Sequence, residues 1–246
     1  MNDHFYLTLP SDGASVVKLP EPIRLTGDYE LGVSEIVYPH TWYNVDNGDE
    51  KYWVAAYNVY TNTFPVPKMY LKSGYYRDEE TFAASLTQQV IRYFADVPVI
   101  DVKFTFVKHL GKIRMHLQGS QDIAVILSAD LLDFMGFARK MFARKVVDRV
   151  GEKTFDVNRG LNLMYVYCDV ASHSIVGDTK TPLLRVFNPV GKHGDVVRLT
   201  YDRPHYVSVE RREFDSVTIS INNEVGKPFS FRSGRLVTTL HFRRRL

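Results

Sequence analysis

Apolar and polar residues alternate along much of this chain with a period of two, which is the repeat of a β-strand. The segment 29–44 shows this pattern most clearly. One face of its predicted strand carries, in order, Tyr29, Leu31, Val33 and Val37. Pro39 lacks a backbone N–H group and therefore ends the strand pairing. Trp42 and Tyr43 follow directly, so the segment is predicted as a strand that runs into an aromatic corner.

Similar alternation recurs over the rest of the chain. It predicts further strands, among others, at His4–Leu9, Val102–Phe106, Ile113–Leu117, Leu183–Phe187, Val196–Tyr201, Ser216–Asn222 and Leu236–Phe242. Pro20 and Pro22 lie between two short extended pieces, Val16–Leu19 and Ile23–Leu25, and favour an edge position for both. About a dozen short strands without βαβ alternation predict an all-β sandwich or jelly roll.

Two segments have a helical repeat instead. The first, Asp78–Phe94, begins with acidic residues, which suit the positive end of a helix dipole. Its apolar stripe at helical spacing consists of Phe82, Leu86, Val90 and either Tyr93 or Phe94. Ser128 is the predicted N-cap of a second, short helix over Ala129–Met135, and Gly136 is its predicted end.

Composition restricts the class of protein. The 246 residues carry a net charge of only +3, which is too small to indicate nucleic-acid binding by itself. The single cysteine, Cys168, excludes a disulfide within the chain. It is predicted as a buried structural thiol, and this suits assembly in a reducing compartment. No apolar run is long enough to predict a membrane span, and the first residues lack the features of a signal peptide.

Basic residues gather at two places in the sequence. One group consists of Arg139, Lys140, Arg144, Lys145 and Arg149, and the other of Arg243, Arg244 and Arg245. The first group is typical of the solvated face of a helix or an arm, and the second of a frayed, soluble terminus. Contact with a phosphate or a protein partner is the alternative for both groups.

No motif in the sequence indicates catalysis. His109 and His116 flank a predicted hairpin turn at Gly111, but no histidine has the spacing of a transition-metal site. The segment 177–180 lacks the spacing of a Walker phosphate loop, and no Gly-x-Ser-x-Gly elbow is present. We therefore expect no enzymatic activity, no cofactor and no metal.

Several segments carry a family resemblance, and they occur in the expected order over nearly the full chain. They are Phe5–Asp12, Leu19–Gly27, Tyr29–Val45, Tyr165–Asp169, Val176–Thr179, Pro182–Val186, Pro204–Val207 and Val237–Arg243. In these segments the chain resembles the minor capsid, or penton, proteins of Polinton/Maverick elements and adintoviruses. The middle of the chain carries the resemblance least, apart from Ser128–Phe137.

This resemblance implies both a fold and a function. The implied fold is a single jelly-roll β-sandwich over residues 1–246, with an inserted region at about 69–157 that contains one or two short helices. The implied function is that of a penton, a homopentamer that fills the five-fold vertex of an icosahedral, virus-like particle. Its neighbours would be trimers of a double-jelly-roll major capsid protein. Assembly would take place inside the host cell, and the protein would be located at the capsid vertex of the virion.

Two groups of residues are candidates for contacts in such a particle. Trp42 and Tyr43 are predicted subunit-interface anchors, since aromatic residues concentrate at the centres of interfaces. A place in the monomer's core is an equal alternative for Trp42. The C-terminal Arg243, Arg244 and Arg245 are predicted to make weak contact with packaged DNA, provided that this end of the chain faces inward.

A binding module is the alternative to a capsid subunit. In this reading the chain is a jelly-roll receptor- or glycan-binding domain. Its ligand shelf would be formed by loop aromatics such as Trp53, Tyr57 and Tyr60.

Overall fold

The chain forms two compact units in a computed structural model. The structure describes residues 3–12, 14–46, 51–57, 68–93, 100–119, 123–138, 142–143 and 146–245. One unit, here called the jelly-roll unit, comprises Met1–Trp42 and Gly160–Leu246. The other, the inserted unit, comprises Tyr43–Arg159.

The described residues form eighteen strands, two α-helices and one short 3₁₀-helix at Lys108–Leu110. The helices are α1 Glu79–Tyr93 and α2 Ala129–Phe134. The first strands are β1 His4–Ser11, β2 Ala14–Arg24, β3 Tyr29–Pro39, β4 Tyr52–Tyr57, β5 Met69–Tyr70, β6 Ile100–Val107, β7 Lys112–Gly119, β8 Ile123–Leu127, β9 Phe142–Ala143 and β10 Val146–Val150. The others are β11 Met164–Cys168, β12 Ser174–Val176, β13 Thr179–Thr181, β14 Leu183–Phe187, β15 Val196–Thr200, β16 Val207–Ser208, β17 Glu213–Asn222 and β18 Leu236–Arg244.

Two antiparallel sheets make up the jelly-roll unit. Their strand orders are β1-β18-β3-β15, with β16 also pairing with β3, and β14-β11-β17-β2. The first sheet alternates strands from the beginning of the chain with strands from its end, and in the second sheet β2 from the beginning pairs with β17 from near the end. Two four-stranded sheets of this kind are the arrangement of an eight-stranded jelly roll. The hairpin β12-β13 stands apart from both sheets. The prediction of an all-β jelly roll is confirmed.

The core of the jelly-roll unit follows from the period-two pattern. In β17 the buried positions are Phe214, before a register shift, and then Val217, Ile219 and Ile221 at period two; in β18 they are Leu236, Thr238, Leu240 and Phe242. Because alternate side chains of a strand point to opposite faces, each sheet presents one apolar face. The two apolar faces form one cluster that also includes Met164, Val166 and Cys168 of β11.

The strand β3 differs from its prediction in one respect. Val33 pairs with Leu240, but the next pair joins Glu35 to Thr239, so Ser34 is an extra residue in a β-bulge. The hydroxyl of Ser34 donates to the carbonyl oxygen of Thr239 at 3.0 Å. The bulge shifts the alternation by one residue. Val37 was predicted on the core face with Val33, but it lies only partly buried, and its neighbours Ile36 and Tyr38 are fully buried instead.

The strand β2 is also longer than predicted. It runs through Pro20 and Pro22 as one strand at the edge of its sheet, where missing backbone donors cost no pairing. Its register with β17 joins Lys18 to Ser216 and Ile23 to Phe214, so the prolines lie in an irregular stretch between these pairs. The predicted edge position is therefore confirmed, and the predicted break into two pieces is wrong.

Both predicted helices occur in the inserted unit. The helix α1 begins after Asp78, whose carboxylate accepts hydrogen bonds from the backbone N–H and the hydroxyl of Thr81. Its stripe of Phe82, Leu86 and Val90 is fully buried. This stripe belongs to the same apolar cluster as Phe104, Met115 and Leu117 of the sheet β10-β7-β6. A further sheet has the order β5-β4-β8-β9.

The beginning and the end of the inserted unit are joined by Asn44. Its side-chain amide donates to the carbonyl oxygen of Tyr76 at 2.8 Å and to Oδ1 of Asn158 at 3.0 Å. Its own Oδ1 accepts from the backbone N–H of Tyr76 at 2.8 Å. The inserted unit thus starts at Tyr43 and contains the whole of the region 69–157, for which an insertion was predicted. That these parts form one domain remains a prediction.

Candidate interaction surfaces

The aromatic corner after β3 packs within the jelly-roll unit. The indole of Trp42 is only 4% exposed. Its ring is stacked on His40, with the ring centroids 3.9 Å apart, and meets Phe229 edge to face at 4.9 Å. These contacts place Trp42 in the core, which is the alternative that the sequence left open for it.

The connection between β14 and β15 is held against this corner. The hydroxyl of Tyr38 donates to the carbonyl oxygen of Val190 at 2.9 Å and accepts from its N–H at 2.7 Å. His40 and Gly194 continue this contact, since the N–H of Gly194 donates to the His40 carbonyl at 2.8 Å. Burial, and then the neighbouring His193, lower the pKa of His40. A neutral imidazole is therefore favoured at this position.

Little of Trp42 remains for contact with another subunit. Tyr43, the first residue of the inserted unit, is 36% exposed and has more surface to offer. The role of Trp42 and Tyr43 as interface anchors remains a prediction, and the burial of Trp42 favours Tyr43 as the contacting residue.

The C-terminal arginines are part of an ordered strand. Arg243 and Arg244 belong to β18, which pairs with β1 on one side and β3 on the other. The guanidinium of Arg243 contacts Glu30 at 2.5 Å and lies 3.6 Å from the ring centroid of Tyr206. Arg244 lies 3.9 Å from the carboxylate of Asp3. The expectation of a frayed terminus is therefore wrong for these two residues.

Two further arginines, Arg211 and Arg212, also lie close to carboxylates. Arg211 lies 3.5 Å from Asp169, and Arg212 lies 3.5 Å from Asp28. A polar cavity of about 290 Å³ is lined there by Leu25, Gly27, Asp28, Tyr29, Ser208, Val209, Glu210, Arg211, Arg212 and Arg245. Acidic and basic side chains are thus interspersed around Arg245. The DNA contact of Arg243, Arg244 and Arg245 remains a prediction, and these pairs reduce the charge that is available for it.

An aromatic cluster covers the outer face of β1 and β18. The ring of Tyr6 is stacked on His241 at 4.5 Å, and His4 meets the same imidazole edge to face at 5.6 Å. The Tyr206 hydroxyl is hydrogen-bonded to Nδ1 of His241 at 2.7 Å. Burial, followed by the charges of His4 and Arg243, lowers the pKa of His241. This cluster was missed because its members are far apart in the sequence.

The cysteine and the histidines of the hairpin at Gly111 do not come together in one site. Cys168 is fully buried, as predicted, and burial raises the pKa of its thiol to about 12. His116 faces Lys103 across the strand pair and lies 3.8 Å from Asp148, so it does not face His109. Among the described residues, no three His, Cys, Asp or Glu side chains are grouped so that they could hold a metal ion.

Some predicted contact residues lie outside the described residues. They are Arg139, Lys140, Arg144 and Lys145 of the first basic group, Tyr60 of the ligand shelf, and the side chains of Trp53 and Tyr57. Arg149 of the same basic group is described and lies 3.2 Å from Glu152. Neither helix of the described chain is long and apolar enough to cross a membrane.

A shallow groove next to β14 was not foreseen from the sequence. It has a volume of about 400 Å³ and is lined by Ser174, Leu183, Leu184, Arg185, Val186, His205 and Val207. The guanidinium of Arg185 lies 3.5 Å from the ring centroid of Tyr201. The sequence predicts a strand at Leu183–Phe187 and a family resemblance at Pro182–Val186, but it does not predict the groove, because the contact of Arg185 with Tyr201 depends on the fold.

Comparison with solved structures identifies the same fold in a viral protein. The crystal structure of the mavirus penton protein superposes with a TM-score of 0.51 and covers 98% of this chain and 98% of that chain. The two sequences are 12% identical. No family model and no curated protein matches the sequence. The resemblance to penton proteins is thus confirmed at the level of the fold.

Proposed function

We propose that this chain is a structural minor capsid protein that forms homopentameric pentons at the five-fold vertices of an icosahedral, virus-like particle. The observation that carries the proposal is the shared fold with the mavirus penton protein over 98% of both chains. The match covers residues of both the jelly-roll unit and the inserted unit, so it is not limited to the sandwich. The resemblance of several sequence segments to the penton proteins of Polinton/Maverick elements and adintoviruses suggests the same function.

The jelly-roll unit suits repeated assembly. Its two sheets expose edge strands at both sides, and its connections lie at the ends of the strands, where they can differ without disturbing the core. The proposed partners are further copies of this chain and the double-jelly-roll major capsid protein. The proposed location is the capsid vertex of the virion, after assembly inside the host cell.

A structural role, and not catalysis, is part of this proposal. The thiol of Cys168 is buried with its pKa raised, and His40 is stacked against Trp42. At the surface, His173 lies 3.3 Å from the carboxylate of Glu210. No described contact favours the glycan-binding alternative.

Two measurements test the proposed function. Native mass spectrometry of the purified chain over a range of concentrations should give a species of five times the chain mass. Co-production with the major capsid protein of the same genetic element, followed by electron cryo-microscopy, should place the chain at the five-fold vertices. A matched control is the same co-production without this chain, which should leave the vertices empty.

The proposal fails if the purified chain stays monomeric and the particles have the same vertex density with and without it. Binding of a defined oligosaccharide on a glycan array by such a monomer would favour the alternative instead.

A further inference from the structure

The connection between β15 and β16 lies on the outer face of β3 and reaches the aromatic cluster of β1 and β18. This connection, residues 202–206, is here called the strap. Its backbone packs on Gly32, where a Cβ atom would lie only 2.7 Å from the carbonyl oxygen of His205. Its last side chain, Tyr206, is hydrogen-bonded to Nδ1 of His241 at 2.7 Å. A side-chain contact with β18 therefore helps to hold a segment that rests on β3.

Few backbone contacts fix the strap. Outside the strand pairs, the described backbone hydrogen bonds include none from an N–H group of the strap. The strand β16, which follows it, adds only two paired residues. The side chain of Tyr206 supplies further contacts, because the guanidinium of Arg243 also lies 3.6 Å from its ring centroid. Segments with few backbone hydrogen bonds open at a lower free energy than the core of a sheet, so the contacts of Tyr206 matter for this segment.

His241 is poorly placed to take up a second proton while the strap is closed. Its Nε2 is buried and has no hydrogen-bond partner among the described residues. A protonated imidazole donates from both nitrogens, so one N–H group would be buried without an acceptor. The new charge would also lie near Arg243 and near His4, whose ring centroid is 5.6 Å away. Burial first, and then these two neighbours, lower the pKa of His241.

The carboxylates on the same face of the sheet are paired with arginines. Glu30 lies 2.5 Å from Arg243, and Glu35 lies 3.8 Å from Arg198. The remaining ionisable side chains of the strap are Asp202, Arg203 and His205, and in the described structure none of them contacts His241. A proton on His241 therefore finds no described counter-ion. The charged and ionisable groups that face His241 are His4 and Tyr6 of β1, Glu30 of β3, Arg243 of β18 and Tyr206 of the strap.

We propose that the strap is released by acid, because protonation of His241 displaces Tyr206 and lifts residues 202–206 from the outer face of β3. Once Tyr206 has moved away, water can solvate the imidazolium, and the pKa of His241 returns towards its usual value near 6.5. Because the pKa is lower in the closed arrangement, the closed strap is fully stabilised above about pH 6.5. This stabilisation is lost as the pH falls below that value.

Hydrogen exchange of the full chain, detected by mass spectrometry over a pH series from 7.5 to 4.5, tests the inference. The rates are corrected for the intrinsic exchange rate at each pH. The N–H of Val209, just after β16, donates to the carbonyl oxygen of Tyr29 at 2.8 Å and reports on the attachment of this segment. We expect protection in peptides over 202–209 to fall threefold to tenfold between pH 7.5 and 5.5. About tenfold is the limit that one linked proton with a usual pKa near 6.5 sets over this interval.

Two variants and one control assign the response. His241→Asn retains an acceptor near the position of Nδ1 and cannot titrate, so its strap should be equally protected at both pH values. His4→Asn removes one like charge at an exposed position, so it should fold normally and show a smaller total fall by pH 4.5. The matched control is His193→Asn, which removes an exposed histidine of the same unit, in the connection between β14 and β15, and should show the full wild-type fall.

Peptides of β17, in the core of the same unit, should keep their protection and thereby exclude global unfolding. Unchanged protection of the wild-type strap between pH 7.5 and 4.5 overturns the inference. A full acid response in both His241→Asn and His4→Asn also overturns it, and so does a response confined to residues 189–195 beside His40, whose pKa is lowered by burial as well. If His241→Asn does not fold, His4→Asn decides alone, since a smaller fall supports the inference and a full fall overturns it.

Discussion

The two units of this protein reach a packed core by different routes. In the jelly-roll unit, β1 pairs with β18 along its whole length, although the two strands lie at opposite ends of the sequence. In the inserted unit, α1, β6 and β7 follow one another in the chain and pack together, with β10 as the next partner of β7. Non-local pairing carries a larger loop-closure entropy and forms more slowly. We therefore expect the inserted unit to form its core before the jelly-roll sheets are complete.

The largest expected effect comes from removing one buried ring in each unit. Phe242 and Phe82 are both fully buried, the former between the jelly-roll sheets and the latter on α1. We expect Phe242→Ala and Phe82→Ala each to lower the free energy of unfolding of its own unit by about 3–5 kcal/mol, because a cavity remains. Hydrogen exchange measured by mass spectrometry would show which amides lose protection.

The control for this pair is Val225→Ala, which should change the free energy of unfolding by less than about 0.5 kcal/mol because Val225 is exposed. Equal loss of protection in both units after either ring deletion would contradict the division into two units.

A smaller effect is expected at the hydrogen bonds that close the inserted unit. Asn44→Ala would leave the buried N–H and C=O of Tyr76 without the side-chain partners described above. Each buried group that loses its partner costs about 1–3 kcal/mol. Asn158→Ala removes only one of the three bonds and is the matched control. Urea unfolding followed by hydrogen exchange should rank Asn44→Ala as the more destabilising, and the reverse order would count against the assigned network.

Close packing of the backbone in the jelly-roll unit gives the next prediction. A Cβ atom at Gly32 of β3 would lie 2.7 Å from the carbonyl oxygen of His205 and 2.9 Å from Cβ of Pro204. We expect Gly32→Ala to destabilise the jelly-roll unit by about 1–3 kcal/mol through this overlap. Gly74 in the inserted unit has no atom within 4 Å of the corresponding position, so Gly74→Ala is the control. If Gly32→Ala leaves the thermal unfolding temperature unchanged, the close contact of Gly32 with Pro204 and His205 is contradicted.

The smallest effect concerns the cap of α1. Hydrogen bonds from Thr81, followed by that from Arg77, lower the pKa of Asp78 to about 2 from a usual value near 3.8. Since the folded pKa is the lower one, this stabilisation is present above about pH 4 and is lost as the pH falls towards 2. We expect Asp78→Ala to lower the free energy of unfolding by about 1 kcal/mol at neutral pH. The free energy of unfolding of this variant should also fall less steeply as the pH is lowered from about 4 to about 2.

Asp78→Asn is the informative control for the cap, because it retains an acceptor for Thr81 but cannot titrate. It should keep part of the stability at neutral pH and lose the acid dependence. If both variants lose stability between about pH 4 and about pH 2 as the wild-type chain does, Asp78 is not the cause of that loss.

Local patterns predicted much of the fold. The alternation in β17 and β18 and the stripe of α1 predicted the buried faces correctly, since each pattern is contained in one element. The bulge at Ser34 was not predictable in this way, because it depends on which residues of β18 stand opposite. The pieces around Pro20 and Pro22 form one strand because β17 pairs with both.

The candidate surfaces were less predictable than the fold, for the same reason. Trp42 could be read as an anchor or as a core residue, and only the contacts with His40 and Phe229 decide its environment. The groove beside β14, with the guanidinium of Arg185 against the ring of Tyr201, is a consequence of the strand order, so no single stretch of sequence contains it.

The pairing of β1 with β18 brings the first and the last strand of the jelly-roll unit next to each other. The N–H of Arg244 donates to the carbonyl oxygen of Asp3 at 2.7 Å, so a short linker could join these two segments. New ends could be opened in the exposed turn of β12-β13, where a Cβ atom added to Gly177 would have no other atom within 4 Å. Such a circular permutant would keep every pairing within the two sheets while reversing which half of the jelly roll is synthesised first.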